Sequence, residues 1–111
     1  LRCKVVAGAA NNQLAEERHG DMLRERGIAY APDYAINAGG LIHVAQESHG
    51  FDARLVRERT ERIYDTVLTI LERAQADDCA TQRVADAMVE EILARAAIRR
   101  SASPSLRVAR A

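Results

Sequence analysis

The chain has no tryptophan, one phenylalanine, two prolines, two cysteines and a single lysine, Lys4, and its 16 basic residues are matched by 16 acidic ones. Each scarcity excludes something. Balanced charge, with acids and bases interspersed, argues against a nucleic-acid partner, which calls for a net basic face. The basic residues at the end of the chain, Arg99, Arg100, Arg107 and Arg110, stand without neighbouring aromatics and read as a solvated tail. No apolar run approaches the roughly 18 residues of a membrane span, and no signal-peptide pattern is present, so the default location is cytoplasmic, away from membranes. Cys3 and Cys79 lack CxxC or CxxH spacing and read as reduced thiols. His19, His43 and His49 lack metal-ligand spacing such as HExxH, so no metal site is expected. An initiating methionine is also missing: Leu1 is followed almost at once by a strand-like run. The expectation is therefore the C-terminal portion of a longer protein.

The order of elements is legible in the hydrophobic pattern. Cys3 to Ala7 is a short β-branched run ended by Gly8, the mark of a buried strand in a parallel sheet. Ala9 to Leu14 reads as a loop. A helical pattern follows from about Arg18 to Arg26, with Met22 and Leu23 on one side and Gly27 as its C-terminal cap. Ile28 to Ala31 forms a second short run, stopped by Pro32-Asp33. Strand, helix and strand with short connections make a right-handed βαβ unit, so the fold class is α/β. Beyond Asn37 three helices are predicted: to about Ser48 with Gly50 at its end, from about Ala53 to Ala76, and from Thr81 to Ile98. The last carries Val84, Ala85, Met88, Val89, Ile92, Leu93 and Ala96 on a broad apolar stripe, and the short link before it makes an antiparallel hairpin. From Ser101 onward periodicity ends and disorder is expected.

Two loops stand out against this frame. Ligands of open α/β sheets bind outside the carboxyl ends of the strands, and both Ala9-Ala10-Asn11-Asn12-Gln13 and Asp33-Tyr34-Ala35-Ile36-Asn37 leave their strands at that edge. Their neutral amides both donate and accept, which suits a carboxamide, an ammonium group or a ribose hydroxyl better than a metal ion. After Asn37 come Ala38 and the pair Gly39-Gly40 at the start of a helix. Glycine costs roughly 1 kcal/mol relative to alanine inside a helix. A first turn built on two of them suggests that something needs the missing side-chain volume, although a plain turn before a helix cap would use the same residues.

Three stretches, AGAANNQL at Ala7 to Leu14, APDYAINAGGLIHVAQE at Ala31 to Glu47 and RIYDTV at Arg62 to Val67, together resemble the leucine, phenylalanine and valine dehydrogenases of the glutamate dehydrogenase superfamily. The resemblance covers residues 2 to 98, in order. It implies reversible oxidative deamination, in which an L-amino acid, NAD and water give the 2-oxo acid, NADH and ammonia, in the cleft between a substrate domain and a Rossmann-type cofactor domain. It further implies that residues 1–50 are the last βαβ part of the NAD-binding domain, that residues 51–100 are closing helices packed on it, that 101–111 are a tail, and that the full-length parent is a homo-oligomer. By the same resemblance Asn12 lies beside the reacting amino group and the nicotinamide. Ala10 and Asn11 approach the cofactor, Asn37 lies at the nicotinamide end, and Leu41 and Val44 line the pocket for the substrate side chain. A spacing of three does put Leu41 and Val44 on one helix face, though it would equally serve two core residues.

The departures matter as much. The GxGxxG loop that seats a pyrophosphate on a helix N-terminus is absent, as are the family's two catalytic lysines and its catalytic aspartate. Lys4, in a predicted strand, is not placed to serve as a desolvated amine that activates a carbonyl. No catalytic residue is therefore assigned to this chain, and alone it is expected to be inactive. Two other readings stay open: a substrate other than leucine or valine, tryptophan among them, and a non-catalytic helical module that associates through its long helices. Intact Asn12, Asn37 and Gly39-Gly40 favour the enzyme, since a relic need not keep them.

Overall fold

The computed structural model describes residues 1–47 and 50–102. The element order is β1 (Val5–Val6), α1 (Arg18–Glu25), β2 (Ala29–Tyr30), α2 (Asp33–Ile36), α3 (Gly39–Glu47), α4 (Ala53–Ala76) and α5 (Thr81–Ala102). Most of the chain is helical, around one small parallel sheet. β1 and β2 pair in parallel, Val5 opposite Ala29 and Val6 opposite Tyr30. The Ala29 amide donates to the Lys4 carbonyl at 2.9 Å and the Ala31 amide to that of Val6 at 3.0 Å. A sheet of two short strands is marginal by itself, so its stability comes from α1. Leu23, Ile28 and Tyr30 form a buried cluster with Val6 and Leu14 against it.

The pleat explains a correction to the expected buried strand. Successive side chains alternate faces, so Val6 and Tyr30 turn toward α1, while Val5 remains 59% exposed. Met22 and Leu23 likewise do not share a side: neighbours on a helix do not face together, and Leu23 is buried while Met22 is exposed. α1 ends as expected at Gly27, whose φ of +65° lets the Ile28 amide return to the Leu23 carbonyl at 2.9 Å.

α2 is an element that the sequence reading treated as loop. Pro32 ends β2 in an extended conformation and then starts a helical turn, its carbonyl accepting from Ala35 and Ile36 at 3.0 and 3.1 Å. α4 begins at a capping aspartate, Asp52, whose Oδ1 accepts from the amides of Arg54 and Leu55 at 2.9 and 3.2 Å. Asp77 to Ala80 then fold α5 back along it. Asp78 takes the left-handed conformation that ends α4, and the Cys79 amide reaches back to the Ala74 carbonyl. Ile70 and Ala74 of α4 bury against Val84 and Ala85 of α5, with Ala35, Cys79 and Met88 packed around them. α2 and α3 lie on α4.

The apolar stripe of α5 is used only in its first half. Val84 and Ala85 are buried, whereas Val89, Ile92, Leu93 and Ile98 are exposed. Helix continues through Ser101 and Ala102, past the expected start of the tail. The rest of that tail, residues 103–111, and the expected end of α3 at Ser48 lie outside the described residues.

α1 meets α5 at a close approach. A Cβ on Gly20 would overlap the buried carboxamide of Gln82, whose Nε2 donates to the Glu17 carbonyl at 3.2 Å. Gly20→Ala should therefore lower stability by about 1–3 kcal/mol through overpacking, despite alanine's better helix propensity. Urea unfolding of the two proteins measures this; an unchanged midpoint would mean that Gln82 swings aside at no cost.

Candidate functional site

Because β1 and β2 run parallel, the two segments that follow them leave at one edge of the sheet. The first loop turns at Asn12, which adopts φ 54°. Left-handed backbone costs an ordinary residue about 1–2 kcal/mol and asparagine is among the few that visit it readily. The second segment is α2, and Asn37 caps its C-terminus, its amide bonded to the Asp33 carbonyl at 2.9 Å.

The segments are tied together at two points. Asn37 Nδ2 donates to Asn11 Oδ1 and, at 3.4 Å, to the Ala9 carbonyl. The Asn12 backbone amide donates to Asp33 Oδ2 at 3.0 Å. Gln13 Nε2 closes the first loop on itself by donating to the Ala10 carbonyl at 3.1 Å. Thus Asn11 and Asn37 meet directly, while Asn12 is joined through its backbone. Ala10, Asn11 and the Asn12 side chain are exposed. Both of the Asn37 side-chain bonds use its Nδ2; its Oδ1 is by its chemistry an acceptor.

Two residues that sequence reasoning passed over carry this arrangement. Asp33, read as a strand stop and the first residue of the second loop with no role of its own, is 7% exposed, and its Oδ1 accepts from the Tyr30 hydroxyl at 2.7 Å. Burial alone would raise its carboxyl pKa. Hydrogen bonds from Tyr30 and from the backbone amides of Asn12, Asp33 and Gln13 outweigh that and hold it below the usual carboxylate value. Burial, followed by the bond to Asp33, pushes the Tyr30 hydroxyl up to about 12, so it remains a donor at neutral pH. Tyr34 ties α2 to α5: its hydroxyl lies 2.8 Å from Asp86 Oδ1 and 3.2 Å from the Gln82 carbonyl. Burial and then Asp86 raise its pKa as well. The available signal for the first pair was a tyrosine three residues ahead of an aspartate at the start of a helical turn.

α3 presents the other assigned residues. Leu41 is 75% and Val44 60% exposed, so neither belongs to the core that the described residues form. A Cβ on Gly40 would meet nothing within 4 Å, and one on Gly39 only Thr60 Cγ2 at 3.7 Å. Packing within the chain therefore gives no reason for either glycine. The site is also not an enclosed pocket. A groove of about 300 Å³ between α2, α4 and α5, lined by Tyr34, Ile63, Met88 and Ile92 among others, and a wider one of about 600 Å³ beside Arg24, Leu71 and Cys79, include none of the assigned residues. No group of three or more metal-binding side chains occurs among the described residues, and no helix there is long and apolar enough to cross a membrane.

Comparison with known proteins gives a consistent answer. No family model matches the chain. The leucine dehydrogenase of Bacillus cereus is 51% identical over 94 residues, which are 85% of this chain and 26% of that protein. The phenylalanine dehydrogenase of Thermoactinomyces intermedius is 52% identical over 93 residues, 84% of this chain and 25% of its own length. In structure the chain is similar to L-tryptophan dehydrogenase from Nostoc punctiforme, with a TM-score of 0.79 and 44% identity over 82% of this chain and 27% of that one. The chain spans about a quarter of the relatives that it matches.

Proposed function

We propose, from the homology of this chain to the leucine, phenylalanine and valine dehydrogenases over about a quarter of their length, that it forms one wall of the active-site cleft of an NAD-dependent amino acid dehydrogenase. The reaction is reversible oxidative deamination of a branched-chain or aromatic L-amino acid, giving the 2-oxo acid, NADH and ammonia. The observation that carries this reading is the bridge from Asn37 to Asn11, which joins two amide-bearing segments at the carboxyl edge of a parallel sheet, where α/β folds take their ligands.

The residues present fit the nicotinamide end of the cofactor. Asn37 keeps an acceptor and Asn12 an exposed amide, together the donors and acceptors that a carboxamide and an amino group require. Ala10 and Asn11 border the same ligand. When bound, NAD supplies the hydride acceptor, and the protein supplies placement. Leu41 and Val44, exposed here, would become buried against the substrate side chain, and the pocket's identity is not set by them alone, since one methylene changes discrimination by only about 1–3 kcal/mol. Acid/base groups and a pyrophosphate loop are not among this chain's motifs. By homology the parent fold is read as a Rossmann-type domain of which this chain is a part, in a homo-oligomer, with the cytoplasm as its default location.

The complete protein containing this chain is expected to form NADH from NAD with at least one of L-leucine, L-valine and L-phenylalanine. Absence of NADH with all three and with L-tryptophan would overturn the assignment. The isolated 111-residue chain is expected to stay at the blank, and NADH from it would refute the division of labour.

A further inference from the structure

Asp33 makes bonds that its place in α2 does not require. It stands in the first turn of a four-residue helix whose N-cap is Pro32. Beyond its own turn its carboxylate reaches two further partners, Oδ1 accepting from the Tyr30 hydroxyl at 2.7 Å and Oδ2 from the amide of Asn12, 21 residues back in the chain, at 3.0 Å. A buried carboxylate is costly unless fully hydrogen-bonded, and here the bonds that satisfy it include the one residue of the first loop with left-handed backbone. Tyr30, itself buried in the α1 cluster, fixes the carboxylate from the sheet side.

We propose that Asp33 is a positioning residue for Asn12: the carboxylate, anchored by Tyr30, clamps the Asn12 backbone in its left-handed turn and so aims the Asn12 amide at the ligand. The ligand in this statement, a nicotinamide and an amino acid, rests on the function proposed above; the clamp itself does not. Charge-assisted bonds of this kind are about twice as strong as neutral ones, which suits a contact that must hold a loop tip without help from secondary structure.

The test uses the complete protein containing this chain. Asp33→Ala removes both acceptors, and is expected to cut kcat about 100-fold, the scale of an ~1 Å misplacement, with the Kd for NAD changed less than about threefold. Asp33→Asn should recover most of that loss, because its Oδ1 can still accept from Asn12 while its Nδ2 donates to a turned Tyr30 hydroxyl. A purely structural role would lower the melting temperature of Asp33→Ala and leave kcat per folded site unchanged, and that result overturns the proposal. Crystal structures supply the readout that is independent of activity. Asn12 should leave its left-handed conformation in Asp33→Ala and keep it in Asp33→Asn; an unmoved Asn12 in Asp33→Ala refutes the clamp whatever the kinetics. Should Asp33→Ala fail to fold, Asp33→Ser replaces it, its hydroxyl being too short to reach Asn12, and failure of both to fold assigns Asp33 to stability and overturns the proposal. If the unaltered protein forms no NADH, the functional reading falls, and the position of Asn12 in the variants still decides the clamp.

Discussion

Gly40→Leu is expected to leave the fold intact and cut kcat/KM at least about 100-fold, the penalty for displacing a reactant by about an ångström. The first half follows from the structure of the chain alone. A Cβ at Gly40 meets no atom within 4 Å, and Gly40 is not among the glycines with positive φ. Leucine is the better helix former, by up to about 1 kcal/mol, so the melting temperature should hold or rise. The second half follows from the position of Gly40 one residue before Leu41 and three after Asn37, between the two ends of the proposed ligand contact. A leucine there fills the volume through which ligand and backbone would approach. Thermal unfolding and NADH formation measured on one preparation separate the two. Activity within about threefold of the unaltered protein would mean that the paired glycines serve no ligand, and the enzyme reading would lose its clearest steric support.

That split between stability and activity reflects which features the sequence makes visible. Elements set by local chemistry were legible: Gly27 ends α1 by its left-handed φ, apolar spacing marks α4, and two short apolar runs around a helix give the parallel pair. α2 was not, because Pro32-Asp33 after a strand carries the signals of a stop, while the turn is made by the Pro32 carbonyl accepting from Ala35 and Ile36, which no residue type announces. Burial was only partly legible. An apolar stripe says that a face is to be covered but not by what, so Val84 and Ala85 are core while Ile92 and Leu93, on the same stripe, are exposed. The site follows the same division. Asn11, Asn12 and Asn37 were visible as amides near strand ends. Asp33 was invisible as their support, because its partner Asn12 lies in another loop, and contacts between loops leave no periodic trace.

Ile70→Ala should destabilise the chain by about 2–5 kcal/mol, the cost of deleting a large buried aliphatic side chain together with the cavity it leaves. A small domain has roughly 5–15 kcal/mol in total, so this one change removes a large share. Ile70 is 1% exposed and packs where α4 meets α5, with Ala74, Val84 and Ala85 in the same cluster. Ala35 packs against that cluster too, and Ala35 lies in α2 between Asp33, which holds Asn12, and Asn37, which reaches Asn11. The cavity should therefore be felt at the site before the chain unfolds globally. Hydrogen exchange at the Asn37 amide, bonded to the Asp33 carbonyl at 2.9 Å, reports opening of that turn and should quicken in Ile70→Ala under conditions where the rest of the cluster remains protected. Denaturant unfolding checks the global loss. A shift below about 1 kcal/mol would contradict a core centred on Ile70, and unchanged exchange at Asn37 would show that α2 stands independently of the helices beneath it.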